Sequence, residues 1–161
     1  MNIASKIKTR NDLIELRESL VKNKKVVVFT NGCFDILHIG HVRYLCAAKS
    51  FGDFLVVGLN SDQSVRLIKG KRRPIVEQGH RLEIVAGLQA VDYVTLFDEP
   101  DPLKLIQLLK PSILVKGEDW IEDKIIGADF VKAGGGQVVR VPLVKDASTS
   151  GIIERIVKRF C

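Results

Sequence analysis

The chain has 161 residues, with 25 Lys and Arg against 19 Asp and Glu, a net charge of +6. Its 46% hydrophobic and 27% charged residues are ordinary globular values, which disfavours intrinsic disorder, and the length suits one domain. No apolar run approaches the roughly 18–20 residues of a membrane span, and Met1 to Arg10 lack the apolar core of a secretory signal, so the expected address is the cytoplasm.

In chain order, Leu13, Leu16 and Leu20, with Ile14 and Val21, recur at helical spacing and predict an amphipathic helix over Asn11–Lys22. Its exposed apolar positions either pack on the sheet or serve a homodimer or higher homo-oligomer. Val26–Phe29 is a continuous β-branched and aromatic run ended by Asn31-Gly32, the pattern of a strand buried on both faces. His41–Ser50 reads as a helix, Phe54–Leu59 as a second buried strand and Asp62–Ile68 as a helix. The polar stretch Lys69–Gly79, which holds Pro74, reads as a loop. A helix over His80–Gln89 and a strand over Tyr93–Phe97 follow. Asp101 and Pro102 are the expected N-cap and first residue of a helix reaching Leu109. Ile113–Val115 is a strand, Ala128–Ala133 a short helix, Gln137–Val141 a strand, and Gly151–Phe160 a helix opened by Ser148-Thr149-Ser150. Alternating strands and helices predict an α/β chain, a Rossmann-like doubly wound sheet of about five parallel strands. Residues 1–24 form an N-terminal helical extension and residues 25–161 the body of what is a single domain overall.

Ligands of such sheets bind beyond the carboxyl ends of the strands. There the first strand is followed by Thr30-Asn31-Gly32-Cys33-Phe34-Asp35, then His38-Ile39-Gly40-His41 at a helix start. A helix start offers unpaired N–H groups and partial positive charge, which suits phosphate. Gly32 and Gly40 clear space, and two imidazoles three residues apart can serve one polyphosphate. Zinc ligation is the competing reading of the histidines, but no third ligand stands at typical spacing. Cys33, Cys46 and Cys161 are an odd number without a CxxC pair, so neither a disulfide framework nor a zinc site is indicated. Cys46 reads as a small apolar packing residue. Arg66, Lys69, Lys71, Arg72 and Arg73 concentrate charge in one stretch. That stretch holds no aromatic residue, which argues against a nucleic-acid-binding module.

The pattern Thr-Asn-Gly-x-Phe-Asp-x-x-His-x-Gly-His resembles the nucleotidyltransferase superfamily of cytidylyltransferases and related adenylyltransferases. The resemblance implies that His38 and His41 meet the α- and β-phosphates of a nucleotide. It implies that Thr30, Asn31, Gly32, Phe34 and Gly40 shape the nucleotide pocket. Asp35 is either a turn former or, as the resemblance implies, a substrate-side or magnesium-organising group. Lys116, Gly117 and Asp119, after the fourth strand, would lie near base and ribose, and Ser148, Thr149 and Ser150 would either cap the last helix or bind the β- and γ-phosphates. Trp120 is open to stacking or to plain packing.

Lys69-Gly70-x-x-Arg73-Pro74 followed by Arg81, Gly58-Leu59-Asn60-Ser61-Asp62 and Leu114-Val115-Lys116-Gly117 resemble the bacterial heptose 1-phosphate adenylyltransferases, over about residues 24–156. Many of those are half of a two-domain protein with a sugar kinase, so the resemblance is to the stand-alone form. It implies ATP and a sugar 1-phosphate as substrates, Mg2+ carried with ATP, and ADP-heptose as product for lipopolysaccharide. Lys69 and Arg73 would then neutralise charge at the reacting phosphates, with Asn60 and Arg81 on the acceptor side. Membrane and nucleic acid are not expected partners. Gly117-Glu118-Asp119-Trp120 is instead nearer to glycerol-3-phosphate cytidylyltransferases, but Leu143 stands where those carry an arginine.

Overall fold

The computed structural model describes residues 2–161; Met1, the first residue of the expected extension, lies outside them. Five strands form one parallel sheet: β1 (Val27–Gly32), β2 (Phe54–Asn60), β3 (Tyr93–Phe97), β4 (Ile113–Gly117) and β5 (Gln137–Val141), in the order β3-β2-β1-β4-β5. The chain steps outward from β1 to β3 and then returns to lay β4 beside β1. Strand order therefore reverses between β1 and β4, which places a crevice beyond their carboxyl ends.

Seven α-helices accompany the strands among the described residues: α1 (Arg10–Lys22), α2 (Ile39–Lys49), α3 (Asp62–Lys69), α4 (Gln78–Ala86), α5 (Leu103–Leu109), α6 (Ala128–Ala133) and α7 (Thr149–Phe160). Side chains alternate across each strand, so every strand feeds two cores. On one face, Val27 and Phe29 of β1 and Val56 of β2 meet Leu13 and Leu20 of α1, Ile106 and Leu109 of α5, and Val131 of α6. On the other, Val28, Leu55 and Val57 meet Leu45 and Ala48 of α2 and Val85 and Ala86 of α4. Both central strands are buried on two sides, as their unbroken apolar runs predict.

The first residues serve both faces. A short 3-10 turn over Ala4–Lys6 leads to Ile7, which bridges to Val94 along the free edge of β3. Lys8 N–H donates to Val94 O at 2.8 Å, and Lys6 Nζ donates to Val91 O at 2.6 Å. Ile7 packs into the core under α2 and α4, while Leu13 and Leu20 pack into the opposite one. Ile14 and Val21 of α1 stay exposed.

Several boundaries differ from the sequence reading. Helix α2 begins at Ile39, not His41, because His38 takes the N-cap position with extended backbone and its carbonyl accepts from His41 N–H at 2.9 Å. Pro102 caps α5, and Asp101 stands one residue earlier, although its Oδ1 still accepts from Leu103 N–H at 2.9 Å. Helix α4 starts at Gln78 and ends at Ala86. Cys46 does not pack inward: it is exposed, since Leu45 and Ala48 are the core-facing positions of that helix. A second 3-10 turn, Glu122–Lys124, lies between β4 and α6.

Candidate active site

A cavity of about 570 Å³ opens at the β1/β4 crevice. Its walls come from the segments after all five strands, as the topological rule requires. Asn31, Gly32, Phe34, Asp35, His38, Gly40, His41, Asn60, Lys69, Arg73, Lys116, Gly117, Asp119 and the Ser148-Thr149-Ser150 run all line it. Thr30 and Arg81 do not.

The two histidines stack, with ring centroids 3.8 Å apart and planes 23° apart. Phe34 backs His41, its ring centroid 5.2 Å away. The Nδ1 atoms of both imidazoles are buried without a hydrogen-bond partner among the described residues. Burial, and then the neighbouring His38, push His41 down to about 4; burial lowers His38 as well. Burial thus favours the neutral form of both rings, and a polyanion beside them would draw protons back.

Two close approaches explain the glycines of this motif. A Cβ on Gly40 would stand 2.9 Å from the His38 ring, and one on Gly32 would stand 2.9 Å from the Phe34 ring. Phe34 itself has φ of +46°, a left-handed conformation that is costly for a large side chain. The turn after β1 thus folds two rings back over glycines and aims the histidines at the crevice.

Beyond β4, Lys116 is buried, and burial lowers its ammonium to about 8 although Asp119 works against the fall. Its Nζ donates to Asn31 Oδ1 and lies 5.3 Å from the centroid of the Trp120 ring, which is 44% exposed. A Cβ on Gly117 would meet Asp119 Oδ1 at 2.5 Å and Leu143 Cδ2 at 3.0 Å, so a larger residue would displace both side chains. Ser148 caps α7, its Oγ accepting from Gly151 N–H at 3.0 Å. Thr149 Oγ1 donates to Ile36 O at 3.4 Å. Capping spends the Ser148 side chain but leaves the start of α7 facing the cavity.

Thr30 and Arg81 need a different account. Thr30 is fully buried, and its hydroxyl shares a 2.7 Å hydrogen bond with Tyr44 Oη, which also donates to Val115 O at 3.0 Å. The threonine thereby ties β1 to α2, three residues after His41, and does not reach the cavity. Arg81, expected on the acceptor side, has a fully buried side chain. Its Nε donates to Val76 O at 2.9 Å, one terminal nitrogen to Cys33 O at 2.6 Å and the other to Asp62 Oδ1 at 2.7 Å. It is a clamp between the turn after β1 and the start of α4.

Asp35 lines the cavity, but its polar atoms are already engaged. Its buried carboxylate accepts from Arg73 Nε at 2.5 Å, Ile75 N–H at 2.9 Å and Val76 N–H at 2.8 Å. Burial pushes this carboxyl up, yet the N–H groups of Val76 and Ile75 and the Arg73 guanidinium outweigh it and hold it below the usual carboxylate range. Asp35 therefore anchors the cationic loop, and by accepting from Arg73 Nε its carboxylate fixes Arg73 against the cavity wall. No group of three or more His, Cys, Asp or Glu residues is placed to hold a metal ion among the described residues.

The sequence reading missed several wall residues: Cys33, Tyr44, Ile68, Leu143 and the Pro100-Asp101-Pro102 turn after β3. The rule that strand ends bound the crevice would have found the last of these. Burial raises the Cys33 thiol, so it is not an activated nucleophile.

Residues 29–155 match the cytidylyltransferase-like family model. The "Bifunctional protein HldE" of Geobacter metallireducens is 48% identical over 97% of this chain, which spans 32% of that protein. Its counterpart from Geobacter sulfurreducens is 53% identical over 84% of this chain. The chain thus spans about a third of the length of the curated relatives it matches. Among solved structures, a lipopolysaccharide core biosynthesis protein from Thermoplasma volcanium superposes with a TM-score of 0.62 at 35% identity, covering 75% of this chain and 98% of that one. A pantoate-beta-alanine ligase from Francisella tularensis superposes at TM-score 0.64 and 20% identity over 95% of this chain and 79% of its own, a likeness of fold alone.

Proposed function

This chain belongs to the cytidylyltransferase-like family, and on that footing we propose that it transfers AMP from ATP to D-glycero-β-D-manno-heptose 1-phosphate. The products are ADP-heptose, a precursor of the lipopolysaccharide core, and pyrophosphate. The observation that carries this reading is the pair of stacked imidazoles, each with an unpartnered buried Nδ1, at a helix start in the strand-reversal crevice. The relatives, a bifunctional HldE protein and a lipopolysaccharide core biosynthesis protein, agree with it.

An oxygen of the acceptor phosphate attacks the α-phosphorus of ATP. The bond to the β-phosphate bridging oxygen breaks, and pyrophosphate leaves with the electron pair. The nucleophile is already an anion, so placement and charge neutralisation do the catalytic work. His38 and His41 take the α- and β-phosphates, assisted by the N–H groups at the start of α2. The start of α7, at Ser148, Thr149 and Ser150, receives the far end of the triphosphate. Lys69 and Arg73 balance the charge that builds on the leaving and attacking oxygens. Asn31, Gly117, Lys116 and Asp119 border the base and ribose.

Asp35 and Arg81 act as scaffold, not as ligands. A magnesium ion supplies further charge neutralisation when bound with ATP. With Asp35 committed to its loop, phosphate oxygens and water would hold it.

A pyrophosphate-release screen tests the reading, crossing ATP and CTP with heptose 1-phosphate, other sugar 1-phosphates and glycerol 3-phosphate. Release with ATP and the heptose phosphate is expected. Release confined to CTP and glycerol 3-phosphate would transfer the assignment to the cytidylyltransferase that Gly117–Trp120 resembles. Duplex binding with a steep salt slope and no transfer would assign a nucleic-acid module instead.

A further inference from the structure

The geometry points to Asp101 as the residue that selects a hydroxyl-bearing acceptor, acting with Asn60 on the β2–β3 side of the cavity. This inference rests on the transferase reading above and names the chemistry of its acceptor half. The strand order divides the cavity wall. Segments after β4 and β5 supply Lys116, Asp119 and Ser148–Ser150, whereas those after β2 and β3 supply Asn60, Lys69, Arg73 and Asp101.

Asp101 is held between Pro100 and Pro102, both of which also line the cavity. One carboxylate oxygen, Oδ1, accepts from Leu103 N–H at the start of α5. The other makes no hydrogen bond among the described residues. Asn60 is pinned in a matching way. Its Nδ2 donates to Ser64 Oγ at 2.9 Å, and Ser64 Oγ donates to Glu99 O at 2.8 Å, two residues before Asp101. That chain fixes the orientation of the Asn60 amide through one of its two N–H donors and leaves its Oδ1 as an acceptor. Thus this half of the wall offers two hydrogen-bond acceptors on rigid supports beside two cations, Lys69 and Arg73.

An acceptor made only of phosphate suits half of that set. The cations attract it, and an unpaired carboxylate repels it. A phosphorylated polyol suits all of it: the phosphate meets the cations, and its hydroxyls donate to Asp101 and Asn60. Sites built to accept from a hydroxyl discriminate strongly against ligands that lack one, because a half-buried acceptor such as Asp101 loses its water when the ligand covers it and is then left unpaired.

Asp101→Asn is the informative variant. Its amide oxygen keeps the bond from Leu103 N–H, so α5 stays capped, while an NH2 donor replaces the acceptor facing the cavity. With heptose 1-phosphate as the varied substrate, KM is expected to rise about ten- to hundredfold, the size of one hydrogen bond to a charged group. The KM for ATP and the thermal midpoint should stay at their wild-type values.

Calorimetry with heptose 1-phosphate and with inorganic phosphate supplies a second readout. Wild-type protein should prefer the sugar phosphate, and Asp101→Asn should remove that preference without weakening inorganic phosphate. An unchanged acceptor KM with the preference intact, or an equal rise in the KM for ATP, would overturn the role of Asp101. Preferential binding of the sugar phosphate without pyrophosphate release would leave that role standing and sink the transferase reading instead.

Discussion

His38 and His41 at the start of α2 and Arg81 on α4 are all polar groups drawn out of solvent, but they differ in what they touch. Both imidazole Nδ1 atoms are buried without partners among the described residues. Arg81 has three partners, all protein atoms, at 2.6–2.9 Å. Leaving a buried polar atom unpaired is costly, so the two Nδ1 atoms mark a place where the packing has not satisfied its own polar groups. The contrast sorts the polar residues around the crevice: Arg81 and Asp35 are saturated by protein partners, whereas the histidines line the cavity with a ring nitrogen unpaired.

The largest expected effect tests the wall. Arg81→Met removes one partner of a buried ion pair and leaves two carbonyls without their donor, which should cost about 3–5 kcal/mol of stability. Denaturant unfolding measures it, and a loss below about 1 kcal/mol would mean that the clamp is not structural. His41→Ala tests the other side of the contrast. Turnover should fall about 10²–10³-fold, the typical cost of one preorganised donor to a reacting oxyanion, with no drop in thermal midpoint. Near-normal turnover would remove His41 from the reaction. Ser148→Ala separates capping from ligand binding at α7. Losing the cap should cost about 1 kcal/mol, and a rise in the KM for ATP alongside it would show that the same helix start also holds phosphate.

The finest signal is in protons. His41 stands at about 4 in the folded chain against an ordinary 6.5, so between these values the unfolded chain binds more protons. Stability should therefore be fully present above about pH 6.5, fall as pH drops toward 4 and level off below. Triphosphate binding should reverse the shift. At pH 5.5, calorimetry in buffers of different ionisation enthalpy should detect uptake of a fraction of a proton, and zero uptake would place the imidazoles away from the phosphates.

How much of this was legible beforehand follows from the range of each interaction. The β-branched runs at Val26–Phe29 and Phe54–Leu59 announce two-sided burial locally, and the alternation with helices then restricts topology to parallel windings. The histidine motif was readable because strand, turn and helix start lie within a dozen residues. Arg81 and Thr30 were misplaced for the opposite reason. The partners that decide their roles, Cys33 and Asp62 for one and Tyr44 for the other, lie 48, 19 and 14 residues away. A sequence displays a cation but not whether a carboxylate across the fold has already claimed it. The start of α2 shifted because His38, which makes no side-chain cap, is not a residue that marks a helix start.

The segment ahead of α1 carries a consequence for how the molecule comes apart. Ile7 enters one core, Leu13 and Leu20 enter the other, and the backbone between them lies along the edge of β3. Its removal would open both hydrophobic layers together and bare a strand edge, the surface from which chains stack into aggregates. The extension is therefore part of one cooperative unit with the sheet. A protease cut near residue 24 is expected to yield insoluble material, not a trimmed enzyme, even though the family match begins only at residue 29.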